Sequence, residues 1–404
     1  MDGSLRRASG VTDSAPEFVT LTLDRRRFLV LLGGVAALGA LRPPLAWAER
    51  LSARAASPPW TLPDALPDGP IESARALIGA AILAPSYWNS QPWRFEVDGP
   101  ELRLTLDPSR VMPAVDPDQR FAQISLGAAL ENLLIAARAW GLQPNVRYLP
   151  WGTRPRAGSP LVAASITWAP GEPRRDRPLF QALPQRRSNP HHYDGRAITM
   201  AQRAALLAQV PEDLSLHWLD DRAEIHRVAR IVREAMLSRT REDGAQAERF
   251  RWLRLSDADE RRMGDGVTPE RIGLSGPLGW LAAHTLHPHG HGFGWGTSSL
   301  AHEAEDAVRS AGALALLTAP QKQDATFLLA GQAYERLALK ATTFGLAQQP
   351  LSAAIESEPH RAVLARAFGA AGEDPLLLVR LGRAHPVPPT ARRTVALVST
   401  YRTS

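Results

Sequence analysis

A short segment rich in polar and aromatic side chains follows the first apolar helical run of the chain. The segment, ILAPSYWNSQPWRF, extends from Ile82 to Phe95 and overlaps the end of a helix predicted from Ala74 to Ala84. Amides and hydroxyls both donate and accept hydrogen bonds, and indole rings offer broad apolar faces. Its candidate site residues are Pro85, Ser86, Asn89 and Gln91, with Trp88 and Trp93 as candidate walls. This combination favours a binding site for a flat ligand with polar edges; the alternative is a helix-ending turn with two core tryptophans.

Two further segments place arginines beside each other. One is Arg186-Arg187-Ser188-Asn189, and the other contains Arg392 and Arg393. Guanidinium groups are planar and always charged, which suits them to binding phosphate. Each pair alone is more often a surface feature in a chain this rich in arginine. The combination with the first segment is what makes both pairs candidates for an anion site.

An internal repeat predicts the elements that position these residues. GAALENLLIAARAWGL (127–142) aligns with GQAYERLALKATTFGL (331–346) at an offset of 204, with seven identical positions. Apolar residues recur in both at alternating spacings of three and four, which predicts buried helices that end at Gly141 and Gly345. A strand candidate precedes each helix, at 101–107 and 312–319. Chance similarity between alanine-rich helices is the alternative, but the pattern favours a duplicated α+β unit with two pseudo-symmetric halves.

The N-terminal 48 residues have the pattern of a twin-arginine signal peptide. Arg25-Arg26-Arg27-Phe28-Leu29 is followed by an apolar run to Leu41 and a small-x-small site ending at Ala48. This apolar run is too short for a comfortable membrane span, so no stable span is expected after cleavage. We therefore expect recognition by the twin-arginine export machinery and a periplasmic or other extracytoplasmic location. An uncleaved anchor and a chance arginine cluster are the alternatives.

The remaining chain divides into a linker and two halves. Residues 49–70 contain five prolines and are predicted to form a linker, residues 71–175 the first half, and residues 176–404 the second. An irregular insertion rich in glycine and histidine is predicted near 256–299. It contains His284, His287, His289 and His291, for which a metal site, a lid and a plain surface loop are all open. No carboxylate follows at ligand spacing, so no metal site is assigned.

Composition excludes several classes of function. The 404 residues are 44% hydrophobic and 22% charged, which is typical of a soluble globular protein large enough for two or three domain equivalents. The absence of cysteine excludes disulfides, iron–sulfur clusters and cysteine nucleophiles. The net charge is +6, but the sequence contains no run of basic residues interleaved with aromatic residues. No nucleic-acid partner is therefore expected. Neither G-x-S-x-G nor H-E-x-x-H occurs, which leaves hydrolase mechanisms without support.

Three segments resemble signatures of the nitroreductase superfamily, whose members are FMN proteins built as interlocked α+β dimers. APSYWNSQPWRF (84–95) resembles the family's A-P-S-x-x-N-x-Q-P-W-x-F signature. RRSN (186–189) resembles the opening R-x-S segment, and GRAHPVPPTARRTVALV (382–398) resembles the closing segment. The resemblance covers most of residues 71–404 and is strongest to exported members in which two halves are fused in one chain. It implies a nitroreductase-like α+β fold in a monomer that acts as a pseudo-dimer.

The resemblance also implies one complete FMN site between the halves. The residues implied to bind the cofactor are Pro85, Ser86, Asn89 and Gln91 from the first half and Arg186, Arg187, Ser188, Asn189, Gly345, Ala347, Arg392 and Arg393 from the second. No catalytic side chain is predicted, because the flavin carries the chemistry. The implied partners are a small-molecule electron donor, such as a reduced nicotinamide, and a nitroaromatic, quinone or similar acceptor.

One departure from the family pattern leaves a second function open. The family often has Arg or Lys two residues after the opening serine, where the charge stabilises the reduced flavin; this chain has Pro190 there. His191 or His192 are the nearest replacements, and a histidine generally carries less positive charge at pH 7 than Arg or Lys. Some fused, exported members of the family store flavin. An FMN-binding storage protein without turnover is therefore the alternative to an oxidoreductase.

Overall fold

The computed structural model describes residues 59–153, 160–172, 177–239, 243–273 and 297–402. The predicted signal peptide and the four histidines from His284 to His291 lie outside these described residues. Within the described ranges, no helix is long and apolar enough to cross a membrane.

Two β-sheets form the framework. The first sheet has the order β3-β4-β2-β1-β9 and contains β1 (Trp93–Asp98), β2 (Glu101–Leu106), β3 (Leu142–Tyr148), β4 (Val162–Pro170) and β9 (Ser399–Arg402). The second has the order β5-β6-β8-β7 and contains β5 (Ser215–Leu219), β6 (Ala313–Ala319), β7 (Ala347–Leu351) and β8 (Asp374–Gly382). Neighbouring strands are antiparallel, except that β9 runs parallel to β1. Antiparallel sheets with separate helices confirm the predicted α+β class.

The helices pack around and between the sheets. They are α1 (Pro70–Ala81), α2 (Arg120–Ala139), α3 (Arg177–Ala182), α4 (Met200–Leu207), α5 (Arg222–Arg239), α6 (Asp243–Arg251), α7 (Asp257–Met263), α8 (Thr297–Arg309), α9 (Thr326–Thr343), α10 (Ala353–Glu356), α11 (Glu358–Ala367) and α12 (Val395–Val398). The matched helices of the sequence repeat are α2 and α9. Each is followed after one residue by a glycine in the left-handed region, Gly141 at φ 82° and Gly345 at φ 66°, as the sequence predicted.

The two sheets repeat the same strand order, which supports the duplication. Both strand candidates form, as β2 before α2 and as β6 before α9. The orders β3-β4-β2-β1 and β7-β8-β6-β5 correspond strand by strand along the chain. The first sheet differs by one added strand, because β9 at the end of the chain pairs with β1. The C-terminal segment therefore returns to the first half.

Equivalent glycines bring the two central helices together. A Cβ atom added to Gly127 would lie 2.0 Å from the carbonyl oxygen of Leu328, and one added to Gly331 would lie 2.0 Å from that of Ile124. Ile124 and Leu328 are themselves equivalent at the offset of 204. The contact is thus reciprocal, as a twofold-related contact must be.

Each central helix also buries side chains in the core of the other half. Phe121 and Ile124 of α2 pack in the second hydrophobic core, whereas Leu328 and Leu339 of α9 pack in the first. Full burial of one such side chain stabilises the fold by about 1.5–3 kcal/mol. The exchange therefore fixes the halves against each other and gives the space between them a rigid boundary.

Two regions differ from the sequence expectations. The predicted irregular insertion near 256–299 contains regular structure: α7 lies within it and α8 begins at Thr297. The Ser256 side chain caps α7 by accepting from Asp259 N–H, a local signal that the glycine content obscured. The described part of the predicted linker, from residue 59 to Gly69, contains no helix or strand, yet Trp60 is 4% exposed and packs in the first core.

Candidate functional site

A cavity of about 410 Å³ lies between the halves and is lined by both. The first half contributes the 85–89 segment and one face of α2. The second half contributes the loop after α3, parts of α5, α6, α8 and α9, and the segment from β7 into α10. This volume is in the usual range for a pocket that holds a small molecule or cofactor.

The segment after α1 has a strained backbone at the cavity wall. Three of its residues that are not glycine have left-handed backbone angles: Trp88 (φ 52°), Asn89 (φ 50°) and Gln91 (φ 51°). Each such conformation costs about 1–3 kcal/mol and persists only where the surroundings enforce it. Here Gln91 N–H donates to Ser86 Oγ at 3.0 Å, and Tyr87 N–H donates to Ser125 Oγ of α2 at 3.1 Å. The segment is therefore held in one shape before any ligand arrives.

Gln91 bonds to the protein rather than facing the cavity. Its side chain is fully buried and does not line the cavity. The amide nitrogen donates to the carbonyl oxygen of Gly264 at 2.8 Å, and the amide oxygen accepts from Arg393 N–H at 2.9 Å. Gln91 thus joins three distant segments, and the structure gives no support to direct contact between this amide and a ligand.

Asn89 lines the cavity, but its amide also has protein partners. Nδ2 donates to the carbonyl oxygens of Gly266 (3.0 Å) and Ala391 (3.2 Å). Oδ1 accepts from Arg392 Nη1 at 3.0 Å. Asn89 therefore fixes one of the predicted phosphate-binding arginines in place.

Four arginines gather at this end of the cavity, which we call the arginine end. Arg186, Arg187, Arg271 and Arg392 all line it, together with Trp60. Arg186 and Arg392 are 2% and 8% exposed. So many guanidinium groups in one buried wall are costly unless negative charge is near.

Glu335 of α9 supplies part of this negative charge. Its Oε1 lies 3.2 Å from Arg186 Nε, and the side chain is fully buried. Asn132 of α2, with its amide oriented as its neighbours require, donates to the same oxygen at 2.9 Å. Burial raises the pKa of Glu335 to about 7, while the positive charge of Arg186 opposes this shift.

The positive charge at the arginine end is only partly balanced. Within the described ranges, neither Arg187 nor Arg392 has a carboxylate ion-pair partner, and Arg186 Nη1 and Arg392 Nε have no hydrogen-bond partner. Burial, and then the charges of Arg186 and Arg271, lower the pKa of Arg187 to about 9. Burial and the neighbouring arginines also lower the pKa of Arg392 well below its usual range. An anion bound here would relieve both effects.

The cavity lining also contains a second polar cluster, formed by Tyr87, Glu356 and Arg249. Tyr87 Oη donates to Glu356, which also pairs with Arg249 Nη2 at 2.7 Å. Burial, and then the Glu356 carboxylate, raise the pKa of Tyr87 well above its usual value. Tyr87 also stacks on Phe121 of α2, with ring centroids 4.6 Å apart. This cluster is internally paired, so the incompletely balanced positive charge lies at the arginine end.

The predicted site residues divide into two groups. Those that line the cavity are Pro85, Ser86, Asn89, Arg186, Arg187, Ser188 and Arg392, together with the candidate wall Trp88. Those that do not line it are Gln91, Asn189, Gly345, Ala347, Arg393 and the candidate wall Trp93. Arg393 is directed away and donates to the carbonyl oxygen of Leu397 at 3.0 Å. Binding roles for the second group remain predictions from the resemblance alone.

Asn189 shapes the loop that carries Pro190 to the cavity. Its Nδ2 donates to the carbonyl oxygen of His385 at 2.7 Å, and its Oδ1 accepts from His191 N–H at 3.0 Å. The fully buried Arg380 donates from Nη2 to the carbonyl oxygens of Asn189, Pro190 and His191. Pro190 therefore lines the cavity, whereas His191 and His192 do not.

Several lining residues escaped the sequence analysis. They are Trp60, Arg271, Arg249 and Glu356, together with Tyr87 inside the first segment. Tyr87 could have been found, because its neighbours had already been selected. Trp60 carried no signal, because it lies in a proline-rich segment with no periodicity. In the part of the chain that the structure describes, no cluster of three histidine, aspartate or glutamate side chains could hold a metal ion.

Comparison of the sequence with known proteins finds relatives of this chain. A Mycobacterium tuberculosis (strain H37Rv) protein named "Putative NAD(P)H nitroreductase" is 31% identical over 345 residues, which span 81% of this chain and 91% of that protein. Another protein of that strain, named only as uncharacterized, is 28% identical over 334 residues, which span 80% of this chain and 91% of that protein. No family model matches the sequence.

Solved structures with more distant sequences also match. One is an FMN-dependent nitroreductase from Mycobacterium smegmatis in complex with NADPH, with 17% identity, a TM-score of 0.33, and coverage of 52% of this chain and 88% of that chain. Another is a nitroreductase with bound FMN from Bacteroides fragilis, with 15% identity, a TM-score of 0.30, and coverage of 51% and 88%. This chain belongs to the nitroreductase family, because it is 31% identical to the first of these relatives and covers 91% of that protein.

Proposed function

We propose that the protein is an FMN-dependent oxidoreductase of the nitroreductase type. In this proposal it passes electrons from a reduced nicotinamide to a nitroaromatic, quinone or similar acceptor. The observation that carries the proposal is the arginine end: buried guanidinium groups with unpaired N–H atoms beside an apolar cavity between two halves. Membership of the nitroreductase family agrees with it.

The residues present fit the phosphate of FMN. Arg186, Arg187 and Arg392 would hold the phosphate, and the free Arg186 Nη1 and Arg392 Nε atoms are donors of the type that a phosphate dianion needs. Ser86 and Ser188 line the same cavity and add hydroxyl donors. Each charge-assisted hydrogen bond contributes about 1.5–3 kcal/mol. A few such bonds are enough for retention of the cofactor during purification.

The rest of the cavity fits an aromatic ring system. The indole of Trp88 and the rings of Phe121 and Phe250 line it, and α8 contributes mainly apolar side chains. Bound FMN would supply the electron-transfer chemistry. The chain's own residues orient the cofactor, exclude water and fix the position of a second molecule in the remaining space.

A storage function is the second candidate, and Pro190 favours it. Pro190 lines the cavity where the family often has a cation, and no lysine is among the described residues that line the cavity. Without that charge, the reduced cofactor would be less stabilised, and hydride transfer from a nicotinamide would be slower. The cofactor would still be bound, because the arginine end does not depend on residue 190.

The two candidates are separated by anaerobic reduction. The full chain, loaded with FMN, is mixed with NADH or NADPH while the flavin absorbance is followed, and a nitroaromatic or a quinone is then added. Free FMN at the same concentration is the control, and dithionite shows that the bound flavin is reducible. Reduction by a nicotinamide, followed by reoxidation, is expected for the oxidoreductase. Reduction by dithionite alone would favour storage, and failure to bind FMN would overturn both functions.

We further propose export through the twin-arginine route and a monomeric, pseudo-dimeric state. The support for export is the Arg25-Arg26-Arg27-Phe28-Leu29 sequence. Residues 1–60 fused to a reporter should be exported, and Arg25→Lys with Arg26→Lys should stop this export. Persistent export of the double variant would contradict the twin-arginine route. Light scattering on the purified protein should give the mass of one chain.

A further inference from the structure

Trp60 contacts the two arginines at the arginine end that have no carboxylate partner in the described ranges. The centre of its ring lies 4.2 Å from Arg187 Cζ and 4.9 Å from Arg392 Cζ. Both distances are well inside the range of cation–π attraction, which is strongest for tryptophan. The negative face of one indole thus attracts both guanidinium groups, as a carboxylate would, but more weakly.

Trp60 is itself fixed in place from two sides. Its Nε1 donates to the carbonyl oxygen of Thr390 at 3.2 Å, in the segment that carries Arg392. The rest of its side chain packs in the first core, with Leu62 and Leu66 of the same segment against that core. The segment is anchored next to α1, where Ser73 Oγ donates to the carbonyl oxygen of Pro67 at 2.7 Å. Because the indole is fixed, it can restrict the positions of the guanidinium groups that contact it.

An aromatic ring has one advantage over a carboxylate at this place. A carboxylate beside Arg187 and Arg392 would neutralise their charges and repel a phosphate. The indole attracts the guanidinium groups through its quadrupole but leaves their net charge intact. The arginines are therefore held in position with their positive charge intact. The donor of Arg392 without a protein partner is Nε, because its Nη atoms donate to Asn89 and to the carbonyl oxygens of Leu83 and Ala84.

We propose that Trp60 is a positioning residue for the cofactor phosphate, holding the Arg187 and Arg392 guanidinium groups in a geometry ready to bind it. This inference rests on the proposed binding of FMN. The segment before α1 therefore contributes to the site, although the sequence analysis predicted only a linker there. The inference also requires that any processed form of the protein retain residue 60.

Binding of FMN and of riboflavin by Trp60→Leu tests the proposal. Riboflavin has the same ring and side chain as FMN but lacks the phosphate, so it reports on the cavity without the anion. Trp60→Leu should weaken FMN binding about tenfold, the loss expected for two desolvated cation–π contacts, and leave riboflavin binding unchanged. Trp60→Phe, which keeps a ring face but lacks the Nε1 donor, should recover most of the FMN affinity. Quenching of flavin fluorescence measures all of these affinities.

Trp218→Leu is the matched control. Trp218 also stacks with an arginine, Arg203 at 5.7 Å, but it lies on β5 and does not line the cavity. Its replacement should change neither affinity. Equal losses of FMN and riboflavin in Trp60→Leu would show that Trp60 is only a cavity wall, and unchanged FMN affinity would show that it has no part in binding. Either result would overturn the inference while leaving FMN binding by the wild type intact, whereas a wild type that binds no FMN would overturn the proposed function as well.

Discussion

Two equivalent glutamates at the centre of the helix pair obtain their positive partners from different places. Glu131 of α2 accepts at Oε1 from Arg336 Nη1 of α9 at 2.8 Å. The position equivalent to Arg336 in α2 is Asn132, so α2 gives Glu335 an amide instead of a guanidinium group. Glu335 faces Arg186, which comes from the loop after α3.

This difference explains how a symmetric scaffold carries an asymmetric site. On the Glu131 side, both members of the ion pair, Glu131 and Arg336, lie on the two central helices. On the Glu335 side, the arginine enters from a loop, lines the cavity and keeps a buried Nη1 atom without a hydrogen-bond partner. The duplicated helices and sheets supply rigidity to both halves, whereas the binding chemistry depends on a loop that contributes to one side.

The largest expected effect comes from breaking the scaffold that the two sides share. Gly331→Ala places a Cβ atom 2.0 Å from the Ile124 carbonyl oxygen, so the central helices must separate. We expect a loss of at least about 3 kcal/mol in the free energy of unfolding, measured by urea denaturation. Gly79→Ala in α1 is the control, because its added Cβ meets no atom within 4 Å and should be neutral or slightly stabilising. Equal stability of the two variants would refute the helix crossing.

Removing two arginines of the arginine end should strongly weaken cofactor binding on the Glu335 side. Arg186→Ala with Arg392→Ala removes several charge-assisted hydrogen bonds, so FMN affinity should fall at least about 100-fold in a fluorescence titration. Arg187→Gln, which leaves no carboxylate unpaired, should weaken binding by a smaller factor without a large loss of stability. Arg336→Gln on the Glu131 side should lower stability but leave FMN affinity unchanged. An equal loss of affinity in Arg336→Gln would contradict the asymmetry.

Arg392 and Arg393 are adjacent, and the sequence alone does not show which of them contributes more to cofactor binding. Arg392 lines the cavity, whereas the Arg393 side chain bonds outside it. Arg393→Ala should therefore reduce FMN affinity much less than Arg392→Ala, since its backbone N–H to Gln91 is retained. Isothermal titration of both variants with FMN measures the ratio, and an equal or larger loss in Arg393→Ala would favour the assignment based on resemblance.

A smaller effect is expected in the pH dependence of stability. Burial raises the pKa of Glu335 from its usual 4.5 to about 7. Between these values the folded protein holds a proton that the unfolded chain has lost, so stability falls as the pH rises through this window and then levels. Glu335→Gln cannot titrate and should show a smaller decline in Tm than the wild type. The part that remains comes from Asp116, whose pKa burial raises to about 6, and from Glu131, whose pKa burial also raises. Parallel Tm curves for wild type and Glu335→Gln would contradict the raised pKa.

The sequence predicted the elements better than the contacts. The helices α2 and α9 and the strands before them were readable because their apolar periodicity and terminal glycines are local signals. The direction of the Gln91 amide was not readable, because its partners at Gly264 and Arg393 lie far away in the chain. Trp60 was missed for the same reason: the partners of its indole, Thr390 and arginines from two segments, lie far away in the chain.

The number of FMN molecules bound per chain tests the central claim most directly. The purified full chain is saturated with FMN, freed of excess by gel filtration, and assayed for flavin absorbance against protein concentration from amino-acid analysis. One scaffold with one arginine end predicts a ratio near one. A ratio near two would show that the Glu131 side also binds the cofactor, and it would contradict the account.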